Sequence, residues 1–310
     1  MKILISDKLQ DVGIKIFEDN GFEVIKKFTI TREELKQEIG EYDGIVVRSR
    51  AKLAADVLEN AKNLKVIGRA GVGLDNVDRN KATELKIEVL NTPEAPAVSV
   101  AEFTLGLMLT LARKISFADR TTHEAQWNKN QCLGYTLNGK KLGLVGFGNI
   151  AKHLAKISIA IGMKVGVYSR FSRGQVAIDE AKEIGCSIYS SVEELLKNAQ
   201  IISLHLPSSP QTENIINEER IKLMRKDAIL INTARGNLID DKALLKALKN
   251  KEIAGAALDV YREEPLKDEE FIKWDDNLVL TPHIASQSIE NQTAAATMVA
   301  EKIVNFLKNK

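Results

Sequence analysis

A chain of 310 residues with 44% hydrophobic side chains is long enough to bury about two cores. Its 44 basic and 42 acidic residues leave a formal charge of +2, which excludes a general electrostatic draw toward nucleic acid or membrane surfaces. Cys132 and Cys186 have no partner Cys or His at metal-ligand spacing, so they fit free thiols of a reducing cytoplasm better than a disulfide framework, and no metal site is expected.

The first residues, Met1–Asp7, carry a short apolar run stopped by Ser6 and Asp7, which predicts a first strand and not a signal peptide. No run of about 18 apolar residues occurs, so no membrane span is expected. Short β-branched runs follow at Glu23–Lys26, Gly44–Val47, Lys65–Gly68 and Glu88–Leu90, after the first at Lys2–Ser6. Helical periodicity lies between them, as in Leu9–Asn20 and Thr31–Gly40, where Thr31 and Glu34 form a capping-box start. Val100–Ser116 carries few polar groups and predicts one long, mostly buried helix, which either packs under a sheet or contributes to a homodimer interface. A second series of strands begins after Asn138-Gly139: Lys141–Gly146, Lys164–Tyr168, Ser187–Tyr189, Ile201–His205, Ala228–Asn232, Gly255–Leu258 and Leu278–Thr281.

This alternation predicts an α/β protein of two doubly wound parallel-sheet domains, the second of Rossmann type. The join is expected near Ser99–Glu102, and the last helix, Ser288–Leu307, is expected to return to the first block. The domains are then 1–98 with 284–310, flavodoxin-like and substrate-binding, and 99–283, nucleotide-binding.

Within the second block, the apolar strand from Leu142 runs into Gly146-x-Gly148-x-x-Ala151, and helical periodicity continues through Leu154, Ile157 and Ala160. Gly146 permits a tight turn, Gly148 lets a pyrophosphate approach the backbone, and the small Ala151 lets the helix sit close to the strand. A strand before and a helix after make this a dinucleotide site. The next strand, which in an NAD site should end in a carboxylate for the ribose hydroxyls, ends instead in Ser169-Arg170, with Arg173 nearby. That loop does not repel a 2′-phosphate, so the cofactor is read as NAD(H) or NADP(H), with the residues leaning toward NADP.

Three further strand ends carry polar groups suited to carbonyl chemistry. Arg235 ends the run from Ile229, Glu264 lies shortly after Ile253–Leu258, and His283 follows Leu278–Pro282. A cation, a carboxylate and an imidazole delivered to one sheet edge can hold a carboxylate substrate, polarise its oxygen and move a proton. His205, at the end of Ile201–Pro207, reads as a wall near the cofactor, while His123 and His153 read as surface residues.

At this point the chain resembles the D-2-hydroxyacid dehydrogenase family, and within it the D-3-phosphoglycerate dehydrogenase branch, along essentially its full length. The marks are Val47–Ser49, Gly68–Asn76, Asn91–Pro93, Ser99–Glu102, Leu137–Lys140 with the glycine motif, Asn232–Gly236, Asp259–Pro265 and Thr281–His283. The resemblance implies that Arg235 binds the substrate's carboxylate and 2-oxygen, that His283 is the acid/base, and that Glu264 is its partner. It also implies cofactor contacts at Val72, Asn149, Ile150, Ser169, Leu206, Thr233, Ala234 and Asp259, beside Gly146, Gly148, Arg170, His205, Pro207, His283 and Ala285. Arg48, Ser49, Arg69 and the amides of Val72 and Gly73 are candidates for the substrate's anionic groups, with Lys129 a weaker one. The expected substrate is a phosphorylated 2-hydroxy or 2-oxo acid, 3-phosphoglycerate or 3-phosphohydroxypyruvate, at the first step of serine formation. Alternatives are a glyoxylate or hydroxypyruvate reductase and, in another class, a dinucleotide-sensing corepressor. Pro96 and the run Ile284–Ser288 depart from the family's usual residues and place the substrate pocket's edge in question. Since the sequence stops at Lys310, no C-terminal regulatory domain is expected.

Overall fold

The structure is a computed structural model in which residues 1–170 and 174–309 are described. It forms two compact units, one of Met1–Pro96 with the stretch from Ser286 onward, the other Ala97–Ala285.

The first unit is built on β1 (Lys2–Ile5), β2 (Glu23–Lys26), β3 (Gly44–Val47), β4 (Val66–Arg69) and β5 (Glu88–Asn91). They pair in parallel in the order β2-β1-β3-β4-β5, the flavodoxin-like arrangement. Alternating side chains serve both faces, as the period of two requires. Leu4, Ile45, Val47 and Ile67 join Leu35, Val57 and Leu58 on one side. Ile3, Ile5, Val46 and Val66 pack on the other with Phe17 and with Ala296, Val299 and Ile303 of the last helix, Ile289–Lys308. Thr31 caps the helix Arg32–Glu38 through the predicted box, its hydroxyl accepting from the Glu34 amide while the Glu34 carboxylate accepts from the Thr31 amide at 2.8 Å.

The second unit contains β6 (Lys141–Val145), β7 (Lys164–Tyr168), β8 (Ser187–Ile188), β9 (Ile201–Leu204), β10 (Ile229–Asn232), β11 (Gly255–Leu258) and β12 (Leu278–Leu280). Among the described residues these make one parallel sheet in the order β12-β11-β10-β9-β6-β7-β8. The order reverses between β6 and β9, which makes a switch point of the doubly wound kind. Ile201, Ile229, Ile231 and Ala257 pack with Leu107, Met108 and Leu154, whereas Ile202, Leu204, Leu230 and Ala256 pack with Leu244 and Leu248.

The helix expected as one piece over Val100–Ser116 is two. One runs Ala97–Arg113 and the next Ile115–His123, with Lys114 between them in the left-handed region at φ 54°. Its ammonium donates to the carbonyl of Gln131 at 2.8 Å, a distant partner that fixes the bend. The first of these helices is buried on one face only, since Val98 and Leu109 are 51% and 39% exposed. Among the described residues, no helix is long and apolar enough to cross a membrane.

Candidate active site

Because every strand of the second sheet runs the same way, the loops after β6, β7, β9, β10, β11 and β12 all leave from its carboxyl edge. After β6 the chain turns at Gly146, which has φ 103° and donates to the Tyr168 carbonyl at 2.8 Å. A Cβ at Gly146 would come within 2.3 Å of the His205 carbonyl oxygen, so this turn excludes any side chain. Gly148 caps the helix Asn149–Ala160, and a side chain there would meet nothing within 4 Å. The helix's first amides, beginning at Asn149 and Ile150, thus lie beside open space, an arrangement suited to a pyrophosphate. Ala151 is fully buried beneath.

After β7, Ser169 is half-buried and Arg170 exposed, while Arg173 lies outside the described residues. After β9, His205 pairs through Nε2 with Ser203 Oγ at 2.9 Å, and burial pushes its imidazole down to about 4, so it is neutral at physiological pH. Leu206 is half-buried and Pro207 exposed.

The loop after β10 is shaped by Asn232, only 1% exposed. Its Oδ1 accepts from the Ala234 amide at 3.0 Å, and its Nδ2 donates to the Arg235 carbonyl at 2.8 Å. Thr233 meets the buried Thr104 hydroxyl at 3.1 Å. Arg235 Nη1 donates to the Ala234 carbonyl at 2.6 Å. A Cβ on Gly236 would lie 2.0 Å from the Tyr261 carbonyl carbon, so only glycine allows the Arg235 loop to rest on the loop that carries Glu264.

Glu264 and His283 meet directly, Oε2 to Nδ1 at 2.8 Å, and the other Glu264 oxygen accepts from the Tyr261 amide at 3.1 Å. Tyr261 ties the two loops together, its hydroxyl donating to the Thr281 carbonyl at 2.9 Å, and burial pushes that phenol up to about 12. His283 itself sits in the left-handed region at φ 55°, an uncommon conformation that its surroundings must hold. Asp259 holds it. Its fully buried carboxylate accepts from Thr281 Oγ1 at 2.7 Å and from the amides of Ile284 and Ala285 at 2.8 and 2.9 Å. With Nδ1 engaged, Nε2 is the ring nitrogen left for a proton carried by a ligand.

In the first unit, Arg48, Ser49 and Arg69 stand at the carboxyl ends of β3 and β4. Arg48 is half-buried, and that burial pulls its guanidinium below its ordinary range against the opposing pull of the Asp7 carboxylate. The carbonyl of Val72 accepts from Asn91 Nδ2 at 2.7 Å, and Gly73 is half-buried beside it. His123, His153 and Lys129 are exposed.

A family model described as D-isomer specific 2-hydroxyacid dehydrogenase, NAD binding domain, matches residues 105–285. The chain belongs to this family. It is 44% identical over 308 residues to a D-3-phosphoglycerate dehydrogenase of Methanocaldococcus jannaschii, a match covering 99% of this chain and 58% of that protein. It is also 44% identical over 282 residues to a hydroxypyruvate reductase of Thermotoga maritima, covering 90% of this chain and 89% of that one. The crystal structure of the TT0316 protein from Thermus thermophilus superposes with a TM-score of 0.89 at 32% identity, covering 100% and 98% of the two chains. The chain thus spans under two thirds of the phosphoglycerate dehydrogenase it matches. The family assigns the second unit a nicotinamide dinucleotide as cofactor. The turn at Gly146 and the open side of Gly148 fit such a group.

Asn232 and Tyr261 lie inside the motifs Asn232–Gly236 and Asp259–Pro265 with no role expected of them, and Thr104 lies outside every motif. Each acts through hydrogen bonds to a distant or adjoining loop, which periodicity within a segment does not record.

Proposed function

We propose that the protein interconverts 3-phosphoglycerate and 3-phosphohydroxypyruvate by hydride transfer at C2, the entry step of serine formation. The 2.8 Å pairing of His283 Nδ1 with Glu264 Oε2 carries this reading, because it leaves Nε2 to act on a substrate hydroxyl. Bound NAD(H) or NADP(H) supplies the hydride acceptor or donor. In the oxidative direction His283 takes the C2 hydroxyl proton, and Glu264 stabilises the imidazolium that results. Arg235 holds the substrate carboxylate and stabilises the C2 oxygen as it becomes a carbonyl. His205, neutral near pH 7, forms part of the cofactor's wall with Leu206 and Pro207. Gly146, Gly148, Asn149 and Ile150 take the pyrophosphate, and Ser169 with Arg170 takes the adenosine ribose. Val72, Thr233, Ala234, Asp259 and Ala285 line the remainder of the cofactor, Asp259 through the backbone it fixes. Arg48, Ser49, Arg69 and the amides of Val72 and Gly73 receive the substrate's anionic groups.

We further propose a cytoplasmic homodimer. Trp127 and Leu133 are 85% and 83% exposed, and Val98, Leu109 and Ile115 of the same unit add apolar surface of the kind subunit contacts cover. The test of activity is turnover of 3-phosphohydroxypyruvate with NADH and NADPH, and absence of turnover with either refutes it, leaving a dinucleotide-sensing binder. Reduction of glyoxylate or hydroxypyruvate is the second reading, supported by the lack of a carboxylate at Ser169 and by the near full-length match to a hydroxypyruvate reductase. A kcat/KM that strongly favours the unphosphorylated acid would select it.

A further inference from the structure

The loop Arg48–Ala51 contains two arginines that the sequence cannot tell apart, and the structure gives them different tasks. Asp7, just beyond β1, is 5% exposed and lies against this loop. Its Oδ2 accepts from the Arg48 amide at 2.6 Å and from the Ala51 amide at 3.4 Å. Its Oδ1 has no hydrogen bond and faces Arg50 Nε at 3.0 Å as an ion pair. The rest of the Arg50 guanidinium donates to the carbonyls of Ile30, at 2.9 Å, and Ser6. From the other side, Asn76 Nδ2 donates to the carbonyls of Arg48 and Ala51 at 2.8 and 2.6 Å. The bend is therefore gripped by its amides from Asp7 and by its carbonyls from Asn76. Arg50 is consumed in that grip. Among the described residues, the side chain of Arg48 makes by contrast one long bond, Nη1 to the Lys8 carbonyl at 3.4 Å.

We propose that Asp7, with Arg50, is a positioning residue that presets the Arg48–Ser49 loop for an anionic substrate group, and so sets the preference for a phosphorylated acid over its unphosphorylated counterpart. This rests on the assignment of Arg48 and Ser49 to the substrate's anionic tail. The chemistry requires a carboxylate. Asp7 Oδ2 accepts from backbone amides while Oδ1 faces the Arg50 guanidinium, and a carboxamide would turn its own N–H toward one of these groups. Fixing a loop before the ligand arrives removes an ordering cost from binding, so its loss raises KM more than it lowers kcat.

The experiment compares KM and kcat for 3-phosphohydroxypyruvate and hydroxypyruvate in the full-length wild type, Asp7→Asn and Asp7→Glu. Asp7→Asn is expected to raise KM for the phosphorylated substrate about tenfold, the loss of one charge-assisted hydrogen bond. Its kcat and its KM for NADH and hydroxypyruvate should stay within about twofold, a split that general loosening would not give, and Asp7→Glu should recover part of the loss. Unchanged discrimination in a folded Asp7→Asn overturns the proposal. Should that variant not fold, Arg50→Lys, which keeps the charge and loses the fork, carries the same expectation and the same refutation. A wild type with no preference for the phosphorylated acid would instead defeat the underlying assignment of Arg48 and Ser49, whatever the variants do.

Discussion

Replacing Asp259 by asparagine isolates how His283, the proposed acid/base, is held. The side chain keeps its size, so no cavity forms, and only the pattern of donors and acceptors changes. In the native protein one oxygen serves Thr281 Oγ1 and the Ile284 amide, and the other serves the Ala285 amide. An asparagine can accept on one side only and must turn its own N–H groups toward a donor on the other. Hydrogen bonds to a charged acceptor contribute about 1.5–3 kcal/mol each, and a buried donor left unpaired costs about 1–3 kcal/mol. Removing a charge from a fully buried site relieves desolvation and offsets part of that loss. The unpaired amide remains, so the balance should be a destabilisation of about 2 kcal/mol. For a unit of this size that lowers the melting temperature by roughly 4–8 °C. The activity should fall further than the stability does. Ile284 and Ala285 directly follow His283, and release of their amides lets the φ 55° conformation relax, moving the imidazole off its line to the substrate. Differential scanning calorimetry and steady-state kinetics on the same preparation test both parts. An Asp259→Asn protein with unchanged melting temperature and unchanged kcat would refute the claim that this carboxylate holds the loop.

Other consequences can be measured directly. His283→Ala should lose roughly 10²–10⁴-fold in kcat, the usual contribution of a positioned acid/base, while cofactor affinity measured by fluorescence changes little. With Ser169 at the end of β7, both NADH and NADPH should support turnover. Ser169→Asp should raise KM for NADPH through repulsion of its 2′-phosphate, most visibly at low salt, and a wild type already favouring NADH by about a hundredfold or more would contradict this reading. His205 is neutral in the folded protein down to about 4, whereas the unfolded chain takes up its proton near the ordinary 6.5. The stability it contributes is complete above that value and is lost as pH falls toward 4, by up to about 3 kcal/mol. Melting temperatures between pH 7 and 5 should therefore fall more steeply for the wild type than for His205→Gln.

The frame of this molecule was legible in the sequence because parallel strands buried on both faces are written as short apolar runs, and each of the twelve strands among the described residues falls within or beside a run read that way. The strand ends of β10, β11 and β12 then located Arg235, Glu264 and His283 without any knowledge of their contacts. What could not be read were features whose causes lie far along the chain. Lys114 interrupts an apolar helical run that contains no glycine or proline at that point, and its bend is held by the carbonyl of Gln131. Tyr261 braces its neighbour through Thr281, and Asp7 reaches across to the Arg48 loop. Pattern reasoning sees periodicity within a segment. It does not see which donor a distant segment will present.

These bracing residues bear on how substrate choice is distributed. Asn232, Gly236, Tyr261 and Asp259 fix the Arg235, Glu264 and His283 loops through backbone contacts made entirely within the second unit. The first unit has its own frame, in which Asp7 and Asn76 shape the Arg48–Ser49 loop. The hydrogen bonds described for each frame lie within one unit, and energetic effects at sites without common partners tend to add. Equal identity to a phosphoglycerate dehydrogenase and to a hydroxypyruvate reductase is then no paradox. Under the proposed assignments, hydride transfer at C2 would be set by the Arg235, Glu264 and His283 loops, and discrimination among the acids that carry a C2 hydroxyl by the Arg48 loop.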